Sequence, residues 1–157
     1  MKNYKRGLTL LEILLVIAAI SILSGIVVLV LNPSKQLGDT RNAQRRSDVN
    51  TILNAVYQYA IDHEGKLPAG IDDVVGTSQV LGTATSGLGS GCFAATTVDA
   101  GLDLSTDLVP VYLVNIPFDP KNGTNTNTNY YINKDAVGRI TVGACNTEHS
   151  LVINVTR

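Results

Sequence analysis

The N-terminal part of the chain divides sharply into a polar and an apolar stretch. Met1 to Gly7 is short and polar and carries Lys2, Lys5 and Arg6. Leu8 to Leu31 is apolar, and Glu12 is its only charge. A run of about 20 apolar residues is what a helix needs to cross a bilayer. A carboxylate inside such a run is costly unless it finds a partner, so Glu12 is a functional candidate. The three leading cations put the N-terminus on the cytoplasmic side and everything after Leu31 outside. Ser21, Ser24 and Gly25 are small residues of the kind that lets membrane helices approach closely. Asn32-Pro33 predicts a kink or local break, because proline removes a helix hydrogen bond and clashes with the preceding turn.

From Ser34 the pattern becomes amphipathic. Val49, Ile52, Leu53, Val56 and Ala60 fall on one helical stripe, with Thr51, Asn54, Gln58 and Asp62 opposite. Gly65 is the expected C-terminal cap, with Pro68 just beyond. A helix from Leu8 to about Glu64 would span roughly 85 Å at 1.5 Å per residue. Asp39 to Asp48 is polar nearly all round. Arg41 and Arg45 stand at i,i+4, where like charges repel. Arg45 can reach Asp48 at i+3, whereas Arg41 has no acid three or four residues away. These arginines either form a solvated face or meet acids on neighbouring subunits.

Ala69 to Asp107 is rich in Gly, Ser and Thr and reads as loop, above all Gly82 to Gly91, with room for short strands near Val80 and Phe93. Val109 to Ile116 reads as a lead-in to the sheet or an edge strand. Asn129–Asn133, Arg139–Ala144 and Leu151–Thr156 have the apolar and β-branched content of strands. Three antiparallel strands laid on the amphipathic stripe make an α+β domain with one core. The expected division is 1–7 leader, 8–31 apolar helix, 32–64 amphipathic helix and 65–157 globular head.

Composition adds little to this and excludes some classes. The 157 residues, with a net charge of −1, suit one anchor and one small domain. Loss of the leader would remove three cations and leave the rest near −4. No nucleic-acid partner is directly indicated, since such a domain would normally be basic. Cys92 and Cys145 both follow the anchor, on the side where disulfides persist. A Cys92–Cys145 disulfide is therefore expected, with two unrelated free thiols as the alternative.

No catalytic constellation is visible. His63 and His149 are the only histidines. His63 falls at a helix end, where a capping role is expected. No pair of His, Cys or Asp has zinc-ligand spacing, and no cofactor is indicated. Gly87-Leu88-Gly89-Ser90-Gly91 has neither the phosphate-cradle nor the hydrolase-elbow spacing. Asp99, Asp103 and Asp107 lack the form of a calcium loop, so no metal is expected. Asn122-Gly123-Thr124 and Asn154-Val155-Thr156 match the glycosylation triplet.

Arg6-Gly7-Leu8-Thr9-Leu10-Leu11-Glu12, followed by the apolar run, closely resembles the prepilin signal of type IV pilins and pseudopilins. The resemblance implies a cut between Gly7 and Leu8 by a prepilin peptidase/methyltransferase, with N-methylation of Leu8. Glu12 then takes the place of the family's glutamate, the fifth residue after the cut, and acts in assembly. Leu8 departs from the usual phenylalanine. Asn32-Pro33-Ser34-Lys35 lacks the A-x-A site of an ordinary secretory signal, so the apolar segment is expected to be retained. The remaining alternative is a plain signal anchor with a fortuitous Gly and Glu.

Arg41 to Tyr57 is also similar to the corresponding helix of major pseudopilins and related pilins, and Ile116-Pro117-Phe118-Asp119-Pro120 with Tyr130-Tyr131 to the turn before the sheet in pseudopilin-like heads. These likenesses imply the type IV pilin fold, a long N-terminal helix on a small antiparallel sheet. They imply a homo-polymer built through N-terminal helices and handled by an inner-membrane assembly platform. The precursor would sit in the cytoplasmic membrane, and the mature form in an extracellular or envelope-spanning filament. A pilus subunit and a pseudopilin of a type II secretion or DNA-uptake machine both satisfy this pattern. A monomeric membrane-tethered binding module is the reading from a different class.

Overall fold

The computed structural model describes residues 7–72 and 74–157. Residues 1–6 of the expected leader, with Lys2, Lys5 and Arg6, lie outside the described residues. The chain divides into two compact units, Met1–Leu37 and Gly38–Arg157.

In the first unit, helix α1 runs Leu10–Leu31. Its Leu10–Val27 stretch is long and apolar enough to cross a membrane, and none of it is buried. Within this apolar stretch the Ser21 and Ser24 hydroxyls donate to the carbonyls of Ile17 and Ile20, each at 2.8 Å. The helix thus satisfies its own hydroxyls by bonding back one turn. It stops at Asn32, which is left-handed at φ 40°. Pro33 has no N–H to continue the ladder, so a new helix, α2, starts there and runs Pro33–Asp62. Asn32 Oδ1 accepts from the Ser34 hydroxyl at 2.8 Å and from the Lys35 amide at 3.4 Å, covering donors at the new helix start.

The second unit holds the core. Val49, Ile52, Leu53, Val56 and Ala60 of α2 are all buried, and Thr51, Asn54, Gln58 and Asp62 are all exposed. The buried stripe lies against an antiparallel four-stranded sheet of order β1-β2-β3-β4, made of Gln79–Val80, Tyr130–Lys134, Ile140–Ala144 and Asn154–Thr156. Tyr130, Ile132, Ile140 and Val142 share the cluster with the helix residues. Register pairs Tyr130 with Ala144 and Ile132 with Val142. Tyr131 opposes Gly143, where the absence of a Cβ leaves space for the tyrosine ring.

The fold is therefore α+β and consistent with the pilin fold. To the three expected main strands it adds β1, at Val80, one of the two short strands for which the sequence left room. The segment around Phe93 forms no strand, and Phe93 is 91% exposed. Val109 to Ile116 forms no edge strand; it lies between a helix and the sheet, on an irregular path. It follows a one-turn helix, α3, Ser105–Leu108, and begins with a cis Val109–Pro110 bond. The third expected strand is shorter than its sequence suggests. Glu148–Ser150 forms a 3-10 turn in which His149 and Ser150 both have positive φ, and β4 begins only at Asn154. At the end of α2, Gly65 (φ +85°) donates to the Ala60 carbonyl at 2.7 Å, closing the helix as expected. Glu64 shares the left-handed conformation at φ 57°. His63 Nδ1 lies 2.8 Å from the Tyr59 carbonyl, and the His63 ring stacks on Tyr59.

Candidate functional site

Gly7 and Leu8 lie outside α1 in non-helical backbone, and Leu8 is exposed. A Cβ on Gly7 would meet nothing within 4 Å. The peptide bond between them is free of the helix ladder that would hide it from a peptidase. Thr9 is the N-cap, with β-region φ/ψ. Its hydroxyl accepts from the Glu12 amide at 3.2 Å, and Glu12 Oε2 accepts from the Thr9 amide at 2.8 Å and the Thr9 hydroxyl at 2.9 Å. This reciprocal capping box satisfies donors that a helix start leaves open. A carboxylate in the first turn is also favoured by the helix dipole. Among the described residues, Oε1 of Glu12 has no hydrogen-bond partner. Thr9 was not singled out from the sequence, although Thr9-Leu10-Leu11-Glu12 has the spacing that signals such a box.

In the second unit, a polar network locks α2 to the loops. Arg45 is 1% exposed and makes a two-pronged pair with Asp119, Nε to Oδ2 at 2.6 Å and Nη2 to Oδ1 at 3.1 Å. Its Nη1 donates to Asn42 Oδ1 at 2.8 Å. Asn42 reads the backbone of Glu148 from both sides, accepting from its amide and donating to its carbonyl, each at 3.0 Å. Arg41 Nε meets Glu148 Oε1 at 3.0 Å, and Lys121 Nζ meets the same oxygen at 3.2 Å. Arg45 is buried, whereas the Arg41 side chain is 29% exposed, so only Arg45 departs fully from the expected solvated face. Asp119 and Glu148 of the same chain hold them. Their partners stand 74 and 107 residues away, beyond any local spacing rule.

The Lys121 ammonium, with Arg41 beside it, holds the Glu148 carboxyl below the usual range against the opposing effect of partial burial. Burial, reinforced by a 2.7 Å hydrogen bond to Asp48, pushes the Tyr130 phenol well up, so this hydroxyl stays a donor.

Cys92 and Cys145 are joined in a disulfide. The bridge packs with Val80, Leu88 and Tyr131 in a second, smaller apolar cluster. Asp99, Asp103 and Asp107 do not converge. Their carboxylates accept from the backbone amides of Gly87, Ser105 and Ala69 respectively.

Residues 2–28 match the family model for the prokaryotic N-terminal methylation motif. The chain carries a prepilin-type motif. Such a motif marks a precursor of the type IV pilin or pseudopilin kind, and α1 is the apolar helix that would anchor such a precursor in a membrane. The match spans Gly7, Leu8, Thr9 and Glu12 and stops before the head. Comparison with curated proteins and with solved structures returned no match.

Proposed function

We propose that this prepilin is the structural subunit of a type IV pilus-like surface filament, cleaved after Gly7 and polymerised through its N-terminal helix. The observation that carries the reading is α1 itself. Its described side chains are exposed over the whole Leu10–Val27 stretch and apolar apart from one carboxylate fixed at the start and the two back-bonded serines. Such a helix can rest in lipid and then exchange lipid for sister helices, which are equally apolar. On this reading residues 1–7 are a leader, 8–31 the assembly helix, 32–64 the amphipathic half and 65–157 the head. A prepilin peptidase/methyltransferase exposes and methylates the Leu8 amine, and an inner-membrane platform extracts the subunit. The role is structural, not catalytic.

Glu12 is the register device in this scheme. It lies four residues past Leu8, roughly 6 Å along a helix axis. Near the membrane interface its free oxygen stays hydrated. In a filament core that water is lost, and an unpaired carboxylate there costs several kcal/mol. The cationic Leu8 amine of an adjacent subunit offsets that cost and sets the axial step.

Glu12→Ala is expected to give a cut, membrane-anchored subunit and few or no sheared filaments, with mass spectrometry reporting an N-terminus at Leu8. Normal filament yield from Glu12→Ala refutes the pairing. A Gly7→Trp variant trimmed as well as the parent refutes the cleavage site. The pseudopilin reading is favoured by the likeness of Arg41–Tyr57 and Pro117–Tyr131 to pseudopilin segments. It predicts that the chain stays in the envelope and is missing from the sheared extracellular fraction.

A further inference from the structure

We infer that the head carries a binding site for a single neutral sugar ring, in the cavity of about 230 Å³ between the loop after β1, α3 and the segment following the cis bond. This site is independent of whether the chain polymerises.

Residues 82–83, 102–116 and 125–128 supply its walls, as is usual where loops on a rigid scaffold carry recognition. Leu102, Leu104, Val109 and Ile116 give it an apolar floor, and Thr83, Asp103, Ser105, Asn115 and Asn125 bring polar groups to it. Among the described residues, the side chains of Thr83, Ser105, Asn115 and Asn125 make no hydrogen bond; Ser105 is half-buried and the other three stand exposed at the mouth of the cavity. Asp103 uses one oxygen to accept from the Ser105 amide at 2.9 Å and keeps the other open. The lining is held in place beforehand. The Thr83 amide donates to the Asn125 carbonyl at 3.2 Å, and the Thr128 hydroxyl to the Leu81 carbonyl at 2.7 Å. Gly82, at φ +150°, lets the loop approach Thr126 so closely that a Cβ would strike its carbonyl.

The chemistry selects the ligand. The volume is below the roughly 300–1,000 Å³ of sites for drug-sized molecules, which limits the occupant to about one ring. The lining contains one carboxylate and no cation, so anions are disfavoured. Hydroxyls and amides offer donors and acceptors together, which suits hydroxyl groups that do the same. An ammonium has only donors and would leave the amide N–H groups unmet. The apolar floor suits the C–H face of a pyranose. A single ring held by a few hydrogen bonds over one small apolar face binds with a Kd on the order of millimolar.

The test is saturation-transfer NMR on the full chain in a sugar-free detergent. The probes are glucose, galactose, mannose and N-acetylglucosamine, with glucosamine and glucose 6-phosphate as charged controls. We expect transfer to at least one neutral sugar at millimolar concentration. Asn115→Ala and Asn125→Ala should each weaken it about fivefold to tenfold, the effect of one lost hydrogen bond. Neither side chain makes a bond within the head, so these variants keep the fold, which circular dichroism checks. No transfer to any neutral sugar, transfer to a charged control alone, or unchanged transfer in both folded variants overturns the site.

Discussion

Arg45 shows how one buried residue can commit the structure to a partner. Its guanidinium is 1% exposed, and Asp119 supplies the compensating charge in two-pronged geometry. Removing one member of such a pair leaves a buried charge unmet, at a cost of about 3–5 kcal/mol. Asp119→Ala is expected to lower the melting temperature of the full chain in detergent strongly. Pairing it with Arg45→Met should recover much of the loss, because the orphaned charge is then gone. Glu148 predicts a pH effect. Its folded-state pKa lies below the ordinary 4.5, so its pairs with Lys121 and Arg41 stabilise the fold above that value. The contribution is lost as pH falls through the lowered folded value. Thermal melts from pH 6 downward should show the parent losing stability below about 4.5 more steeply than Glu148→Gln.

At the scale of elements, α2 is held by its stripe more than by its own turns. Leu53 is fully buried among helix and sheet residues. Leu53→Ala is expected to destabilise the head by about 2–5 kcal/mol, read as a lower denaturant midpoint. Thr51→Ala, on the exposed face, should move the midpoint by under about 0.5 kcal/mol. Equal effects of the two would contradict the stripe. The boundary between α1 and α2 has a local cause. Asn32 adopts the left-handed conformation, Pro33 cannot donate, and the Asn32 side chain caps the next helix. The capping box of Thr9 and Glu12 sets the other end of α1 by equally short-range means.

Over the whole molecule, the Cys92–Cys145 bridge ties the Gly-rich stretch to the sheet. The cysteines are 53 residues apart, and closing a loop of that size contributes about 4 kcal/mol in the chain-entropy model. A Cys92→Ser/Cys145→Ser chain should melt well below the parent. Thiol labelling of the unreduced, denatured parent should find no reactive thiol. Two labelled thiols would overturn the bridge in the protein as made.

The sequence by itself determined what depends on neighbours along the chain. The apolar run, the position of Glu12 after Gly7, the break at Asn32-Pro33, the stripe of α2 and the glycine at its end all rest on spacings of a few residues. The α+β class followed from adding a strand pattern to that stripe. Only the tertiary structure decided the partners of Arg41 and Arg45, which of the two short candidate strands near Val80 and Phe93 forms, the late start of β4 and the irregular path of Val109 to Ile116. The arginine partners and the pairing of β1 depend on groups far apart in the chain. Glu148 and Asp119 reach the arginines because the sheet returns both to the start of the second unit's helix. β1 is only two residues long, and its pairing with β2 gives it a place in the sheet. Periodicity reports which face of an element is buried, but not which distant side chain meets it there, and charge pairing in a core is decided by that second fact.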